Sequence, residues 1–222
     1  MTPTSRTLFI LVCFLSQFQL VLAQMSDTEN VKVVEVKSKT GRIWMDRNLG
    51  AVEAAQSSTQ TNSFGYLYQW GRNSDRHQFR RSQTCKKLAT TYSPNKPDFI
   101  LSEKSPTDWM KAPKDNLWQG VNGINNPCPA GFRLPTSAEF DEEIATWISK
   151  DANGALVSPL KLPMAGYRAN SNGEVTDSGF SGDYWTCTAE GMYARGLYFD
   201  AKSTSTDIGG RSVGVSVRCI KN

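Results

Sequence analysis

The feature that most constrains the fold is the stretch from Asn126 to Ser149, which reads NPCPAGFRLPTSAEFDEEIATWIS. It places a cysteine in a Pro/Gly-rich turn directly before a strong helix signal. Thr136, followed three residues later by Glu139, forms the pattern of a capping box. The apolar residues that follow recur at helical spacing and predict a helix over 137–149 with one buried face, made of Phe140, Ile144, Trp147 and Ile148. Residues 151–154 would end this helix as a turn.

The N-terminus has the pattern of a secretory signal peptide. Arg6 precedes the largely apolar segment Leu8–Leu22, and small residues precede a cleavage point between Ala23 and Gln24. The alternative, a membrane anchor, wants an uninterrupted apolar run of about 18 residues or more, which this segment lacks. We therefore expect residues 1–23 to be removed and the protein to be secreted, periplasmic or exposed at the cell surface. No transmembrane segment is expected after cleavage.

Residues 24–222 are expected to form a single domain, because they are long enough to bury a core and no linker or internal repeat divides them. The formal net charge of the whole chain is only +4, and no basic run is interleaved with aromatic residues. The chain therefore lacks the electrostatic footprint of a nucleic-acid-binding protein.

Four cysteines lie beyond the predicted signal peptide: Cys85, Cys128, Cys187 and Cys219. An even number of cysteines in an exported chain predicts two disulfides, and three pairings are possible. The alternatives are free thiols or a metal site, and a metal site finds little support, because no CxxC spacing occurs and His77 is the only histidine.

The first half of the chain opens with a predicted hairpin made of Val31–Lys37 and Arg42–Met45. Phe64–Arg72 is rich in aromatic residues and is more typical of core than of a ligand-stacking site. Asn73–Gln119 has no clean period and reads as an irregular segment with a short helical piece at Thr107–Lys111. Irregular segments of this length are often functional or held in place by a cross-link, and a disulfide at Cys85 would hold this one.

The second half turns to short strands, predicted at Lys161–Arg168, Gly173–Val175, Tyr184–Thr188, Ala194–Ala201 and Arg211–Ile220. In the fourth of these, Leu197 and Phe199 would face one way while Tyr198 and Asp200 face the other. The last strand alternates in the same manner. This pattern is typical of antiparallel sheet with one solvated face.

Five blocks in this order carry a resemblance to a known family: GRIWMDRNLGA, FGYLYQWGR, NPCPAGFRLPT, DYWTCT and SVRCI. Together they span nearly all of the predicted domain, and the chain resembles the Fibrobacter succinogenes major paralogous domain family, which is common in Bacteroidetes. The resemblance implies an α+β, C-type lectin-like fold related to formylglycine-generating enzymes, with twisted antiparallel sheets, one or two flanking helices, long loops and stabilising disulfides. It also implies that the first and last strands meet.

The resemblance also implies a disulfide pairing. Cys128 and Cys219 sit in family motifs and would join the turn before the helix to the last strand. Cys187 stands where the family often has serine, and Cys85 lies in the irregular segment. Cys85 and Cys187, which both depart from the family pattern, would pair with each other in a second disulfide.

The tail of the chain resembles the ligand-facing end of variable receptor proteins with the same type of fold. Carried over position by position, the resemblance implies a binding surface made of Glu190, Tyr193, Arg195, Tyr198, Asp200 and Arg211. Tyrosine and arginine are residues that supply binding hot spots. The alternative is an ordinary solvated sheet face.

Catalytic and metal sites are poorly supported by the residues. His77 stands alone in a polar loop, where we expect it at the surface, and no GxSxG is present for a nucleophile. Residues 151–154 lack the later carboxylate of a calcium loop, and Asp177, Asp183 and Asp207 read as isolated loop acids. No cofactor or metal is therefore expected, although bound calcium stays open.

The function expected from these features is an exported, non-enzymatic module that binds a protein or a glycan at the cell surface or in the periplasm. A structural subunit of a pilus- or stalk-like assembly is the alternative. An enzyme of the formylglycine-generating branch, which would use the late cysteines Cys187 and Cys219, is the least supported reading.

Overall fold

The two ends of the described chain meet in one sheet. The structure is a computed structural model, and it describes residues 33–105 and 107–222. Strand β1 (Glu35–Lys37) pairs antiparallel with β2 (Ile43–Met45), as the predicted hairpin requires. The last strand, β13 (Ile220–Lys221), lies between β2 and β6 (Phe132–Arg133). The predicted signal peptide and the first two residues of the strand predicted at Val31–Lys37 lie outside the described residues.

The remaining strands form three more sheets. One consists of β3 (Tyr68–Gln69), β7 (Tyr167–Arg168), β8 (Val175–Thr176) and β12 (Gly214–Val215), in the order β3-β12-β7-β8. A second has the order β11-β10-β9 and contains the longest strands, β9 (Ser181–Glu190), β10 (Tyr193–Asp200) and β11 (Thr204–Gly209). The third is a short parallel pair, β4 (Thr84–Cys85) and β5 (Phe99–Ile100). All other strand pairs of these sheets are antiparallel.

The central helix begins as predicted but ends earlier. In α1 (Ser137–Ala145) the capping box is present, because Glu139 N donates to Thr136 Oγ1 at 3.2 Å and Thr136 N donates to Glu139 Oε2 at 2.8 Å. The helix stops because the backbone N–H and the hydroxyl of Thr146 both donate to Glu143 O, at 3.0 and 2.7 Å. Ile148 is consequently 66% exposed, contrary to its predicted place on the buried face.

The turn predicted at residues 151–154 is instead the start of a second helix, α2 (Ala152–Val157). Asp151 is its N-cap, and its carboxylate accepts a hydrogen bond from Gly154 N at 3.0 Å. One 3-10 turn, Thr61–Ser63, lies in the loop after β2.

Both faces of the β9–β11 sheet pack against apolar side chains. On one face, Leu197 and Phe199 contact a cluster that includes Phe140 of α1 and Trp147. On the other, Trp185 joins a second cluster with aromatic residues of the predicted Phe64–Arg72 segment, among them Trp70, which is 1% exposed. That segment is therefore core, as predicted, and the helices cover only one side of the sheet.

Other predicted elements also differ from the structure, and the strand predicted at Lys161–Arg168 is present only as Tyr167–Arg168. Thr107–Lys111 is not helical; its Met110 instead forms an isolated parallel bridge with Ala89. Arg211–Ile220 has no solvated face, because residues predicted to point outward are buried. Arg218, for example, is fully buried and donates from Nη2 to Asn48 Oδ1 at 2.9 Å.

The disulfide between Cys128 and Cys219 is present, with a Cα–Cα distance of 5.9 Å. It ties the turn before α1 to the residue that precedes β13. The expected second bridge is wrong: Cys85 and Cys187 are free thiols. Cys187 lies in the cluster around Trp185, whereas Cys85 packs against a different cluster, so the two side chains belong to separate parts of the core.

Taken together, the described residues form a mixed fold of mostly antiparallel sheets, two α-helices and one disulfide, which is compatible with the α+β class. Within residues 33–105 and 107–222, neither helix approaches the length and apolarity needed to cross a bilayer.

Candidate functional site

The three-stranded sheet β9–β10–β11 has a depression on the face opposite the helices. In β10, glycine occupies position 196, and its cross-strand neighbours are Trp185 in β9 and Asp207 in β11. The indole of Trp185 lies across two glycines. A Cβ at Gly196 would stand 3.6 Å from Trp185 Cε3, and a Cβ at Gly209 would stand 3.2 Å from Trp185 Cη2. The missing side chains on adjacent strands leave room for the indole and for the pocket beside it.

This pocket has a volume of about 130 Å³. Its apolar lining includes Trp185, Val213 and Val215. Val215 belongs to β12, and Val213 directly precedes that strand. Trp185 is only 3% exposed, and its Nε1 donates to Tyr68 O at 2.8 Å, so the indole is fixed in place. Small-molecule sites are typically apolar clefts with a few placed polar groups, and this pocket has that composition.

The polar groups of the pocket are Asp183, Tyr198 and Asp207. Asp183 in β9 and Tyr198 in β10 are cross-strand partners, so their side chains share one face of the sheet. Asp183 accepts a hydrogen bond at Oδ2 from Ser181 Oγ at 2.6 Å, and Asp207 accepts one at Oδ1 from Ile208 N at 2.7 Å. Among the described residues, no side chain or N–H donates to the second oxygen of either carboxylate.

The pocket is acidic, and none of the described cations forms an ion pair with its carboxylates. Of the described residues, no lysine or arginine forms an ion pair with Asp183, Asp207 or the neighbouring Asp177. Burial, and to a lesser degree the charge of Asp177, raises the pKa of Asp183 to about 6. A half-buried carboxylate with an elevated pKa in a cleft is a recognised marker of functional sites.

The predicted binding residues of β10 separate into two groups. Tyr198 lines the pocket, and its hydroxyl donates to Asp200 Oδ2 at 3.1 Å. Asp200 in turn accepts from the backbone N–H groups of Lys202 and Ser203, each at 2.8 Å, and so holds the turn between β10 and β11. Tyr198 is thus a lining residue, and Asp200 supports it.

The second group lies at the β9–β10 turn, at the other end of β10. Glu190 and Tyr193 are cross-strand partners there, and Glu190 forms an ion pair with Arg195. The Tyr193 hydroxyl lies 3.0 Å from Ser105 Oγ. All three side chains are at least partly exposed, but none of them lines the pocket.

Arg211 does not lie on an exposed binding face, contrary to the sequence-based expectation, because its side chain is only 1% exposed. Its guanidinium lies 4.6 Å from the centroid of the Trp70 ring and donates to Asp115 Oδ1 at 2.6 Å. It also donates to Tyr193 O at 3.1 Å and Gly191 O at 2.9 Å, which fixes the β9–β10 turn from beneath. Its role is therefore structural.

A larger and shallower depression, about 570 Å³, is lined by Arg80, Arg81 and Arg168. Two of these arginines are already committed to the protein. Arg168 donates to Ser82 O at 2.6 Å and Gly173 O at 2.7 Å, and Arg80 donates to Ala165 O at 2.6 Å. Their donors hold loops together, which leaves Arg81 as the exposed cation there.

His77 is not at the surface, contrary to expectation, and is fully buried. Its Nδ1 lies 2.6 Å from Asp75 Oδ1, and its Nε2 accepts from Gln69 N at 3.1 Å. Burial, and after it the positive charge of Arg72, lowers the pKa of His77 to about 4, although Asp75 acts in the other direction. With both ring nitrogens occupied, the side chain has a structural role. Its partners are a backbone N–H and a carboxylate two residues away, which leave no recognisable pattern in the sequence.

The late cysteines do not form a reactive pair, because Cys219 is bonded to Cys128. Cys187 is a buried free thiol, and burial raises its pKa, which disfavours the nucleophilic thiolate. Within the described part of the chain, no group of three or more His, Cys, Asp and Glu side chains is arranged to hold a metal ion.

Sequence reasoning missed Asp183, Trp185 and Asp207 as pocket residues. Asp183 and Trp185 lie two apart in a strand and so share a face, a signal that was available once the strand was extended back to Ser181. Asp207 belongs to β11, a polar strand that hydrophobic alternation could not reveal.

When the chain is compared with known proteins, no family model, no curated protein and no solved structure matches it.

Proposed function

We propose that this chain is an exported, non-enzymatic ligand-binding or adhesion module that engages a protein or glycan through its C-terminal strands. The observation that carries the proposal is the pocket on the β9–β11 sheet, where Tyr198 and two carboxylates line one cavity on a hydrogen-bonded antiparallel scaffold. Export is proposed from the signal-peptide pattern of residues 1–23.

The scaffold around the pocket favours ligand binding over catalysis. The indole of Trp185 is fixed by its hydrogen bond to Tyr68 O, and the strand that carries Tyr198 is paired on both sides. Rigid sites lose little conformational entropy on binding, so they can hold a ligand without rearrangement. The thiol of Cys187 has a raised pKa and Cys219 is bonded, so neither offers the reactive pair that formylglycine chemistry would use.

For the fold, we propose membership of the Fibrobacter succinogenes major paralogous family with its C-type lectin-like architecture. Support comes from the five ordered sequence blocks, from the pairing of β2 with β13, and from the Cys128–Cys219 bridge between two of those blocks.

The binding proposal is tested by removing two side chains of β10 together. Tyr198→Ala combined with Arg195→Ala should abolish binding to any positive hit on glycan and protein arrays, while the melting temperature stays within a few degrees of wild type. Tyr92→Ala with Arg81→Ala is the matched control, because Tyr92 and Arg81 are exposed and lie outside this sheet. Undiminished binding by the β10 double variant would place the site elsewhere.

A structural subunit of a surface assembly is the second candidate, and the free edge of β11 favours it. Among the described residues β11 pairs only with β10, and unpaired strand edges are templates for association. This candidate expects a rise in mass with concentration in light scattering, and a charge on the exposed edge, as in Ser205→Lys, should suppress it. A monomer at every concentration would reject it.

A further inference from the structure

The chemistry of the pocket identifies the type of group that it accepts. Resting on the binding function proposed above, we infer that the pocket between β9, β10, β11 and Val213 receives a primary ammonium on an apolar stem, as at the end of a lysine side chain of a protein partner. The charge of the pocket, its hydrogen-bonding capacity and its shape each support this assignment.

The charge of the pocket calls for a cation. Asp183 and Asp207 both line it, and Asp177 acts electrostatically on Asp183 from nearby. No described lysine or arginine pairs with any of these three carboxylates, whereas Glu139, an acid buried elsewhere in the fold, pairs with Arg133 at 2.7 Å. An unpaired carboxylate in a cleft is relieved by a ligand of opposite charge.

The hydrogen-bonding capacity matches a primary ammonium. Asp183 has Oδ1 without a described donor, and Asp207 has Oδ2 in the same condition. The Tyr198 hydroxyl gives its proton to Asp200, so its oxygen presents lone pairs to the pocket. A primary ammonium carries three donors and no acceptor, whereas a quaternary ammonium carries no donor and a guanidinium requires a planar fork.

The shape and remaining lining suit an alkyl stem. A volume of about 130 Å³ accommodates a short chain, and the valines at positions 213 and 215 supply apolar contact. Trp185 and Tyr198 add aromatic surface, which attracts cations through its electron-rich faces. Lysine combines a flexible apolar stem with a terminal ammonium, so it can contact the apolar wall and the acidic rim together.

The experiment compares two small probes by isothermal titration and by NMR shifts of the Trp185 indole. Nα-acetyl-lysine methylamide should bind with a dissociation constant of about 1 mM or tighter. Its Nε-acetyl analogue has the same stem but no charge and should bind at least about tenfold more weakly, since it loses one charged contact. Equal binding of the two probes, or no binding of either, would overturn the inference.

The location is tested with variants of the pocket. Asp183→Asn and Asp207→Asn should each weaken the lysine probe several-fold, and Val213→Phe should block it without changing the charge. Glu190→Gln is the matched control, because it removes an acid from the same sheet at a position that does not line the pocket. Unchanged affinity in both Asn variants would contradict the inference even if the probe binds.

Choline and glucosamine serve as further probes. If either binds more tightly than the lysine probe, the ligand is a quaternary ammonium or an amino sugar and not a lysine side chain.

The pH dependence of binding provides an independent test. Asp183 should take up a proton as the pH falls through about 6, so the lysine probe should weaken over that range. The other titratable groups near it are Asp177, Asp200 and Asp207, with Tyr167 and Tyr198 neutral there.

Failure of this inference is distinguishable from failure of the proposed function. If array ligands bind in a manner that depends on Tyr198 while the lysine probe and its acetylated analogue bind alike, the module binds a ligand but not through an ammonium. If neither arrays nor probes give binding that depends on the β10 side chains, both proposals are rejected.

Discussion

His77 is a polar side chain enclosed by the core, with a hydrogen-bond partner on each ring nitrogen. Such groups tie particular atoms to particular positions, because leaving one partner unpaired in a buried site is expensive. Four arginines of the described residues are fully or nearly fully buried and act in the same way, each donating to backbone carbonyl groups of distant segments: Arg72, Arg168, Arg211 and Arg218.

Replacing His77 by phenylalanine should destabilise the protein by about 2–4 kcal/mol, because Gln69 N loses its acceptor and Asp75 loses a partner inside the core. Chemical denaturation at pH 7 measures the loss. Phe79→Leu, on an exposed neighbour, is the control and should change stability by well under about 1 kcal/mol.

The same side chain should give a pH signature. Its pKa in the folded protein is about 4, below the ordinary value of 6.5, so the folded state favours the neutral ring. The stability that this contributes is fully present above about 6.5 and is lost as the pH falls through 4. The free energy of unfolding of wild type should therefore fall relative to that of His77→Phe over this range, and a constant difference between the two would contradict the assignment.

Glu143 illustrates the opposite case. It is fully buried in α1, and neither carboxylate oxygen has a hydrogen-bond partner among the described residues. Burial raises its pKa, and the nearby hydroxyls of Ser38 and Thr40 only partly offset this, since neither completes a hydrogen bond. The group is therefore a source of instability in its charged form.

Glu143→Gln should stabilise the protein by about 1 kcal/mol at pH 7, since it removes a buried charge at nearly constant volume. The gain should shrink on acidification. A carboxyl whose folded pKa is raised contributes stability that is present below its unfolded pKa and lost as the pH rises through the folded one. Glu142→Gln, on the exposed face of the same helix, is the control. Destabilisation at pH 7 would show that the charge has a partner.

At the scale of elements, α1 depends on its N-terminus. The capping box joins Thr136 to Glu139, and Arg133 of β6 donates to Glu139 from two guanidinium nitrogens, at 2.7 and 2.8 Å. Although burial acts in the other direction, these hydrogen bonds and the charge of Arg133 lower the pKa of Glu139 to about 2. The cap therefore connects the helix to the terminal sheet.

Thr136→Ala should cost about 1 kcal/mol of stability, the usual effect of losing an N-cap side chain. Thermal denaturation measures it, with Thr90→Ala on an exposed residue as the control. An unchanged melting temperature in Thr136→Ala would mean that Arg133 alone holds the helix start.

At the scale of the whole molecule, the Cys128–Cys219 bond connects parts of the chain that are 91 residues apart. It joins the turn before α1 to the sheet in which both ends of the described chain meet. Replacing both cysteines by alanine should cost about 2–5 kcal/mol, because the unfolded chain gains freedom when a loop of this length is opened.

The two free thiols should differ in reactivity. Cys85 is partly exposed and should be alkylated in the native protein, whereas Cys187, which is 6% exposed, should react only on unfolding. Peptide mass spectrometry after timed alkylation distinguishes them. Recovery of a Cys85–Cys187 cross-link from native protein would contradict the assignment of both residues as free thiols.

Local signals determined much of the fold. The capping box, the alternation of Leu197 and Phe199, the aromatic Phe64–Arg72 segment and the opening hairpin all act through neighbours in sequence, and each is present as predicted. The early end of α1 and the polar strand β11 escaped prediction, because a hydroxyl that closes a turn and a strand without alternating apolar residues leave no periodic signal.

The candidate site was decided by tertiary structure. Sequence alone placed Tyr198 on an outward face and named Asp183 and Asp207 only as isolated acids. Strand pairing brings these three residues together, and two glycines on adjacent strands leave room for Trp185 and the pocket. Burial likewise removed Arg211 from the binding face and His77 from the surface. Sequence could specify which residues alternate along one strand, but which residues of different strands become neighbours depends on register, which only the folded chain sets.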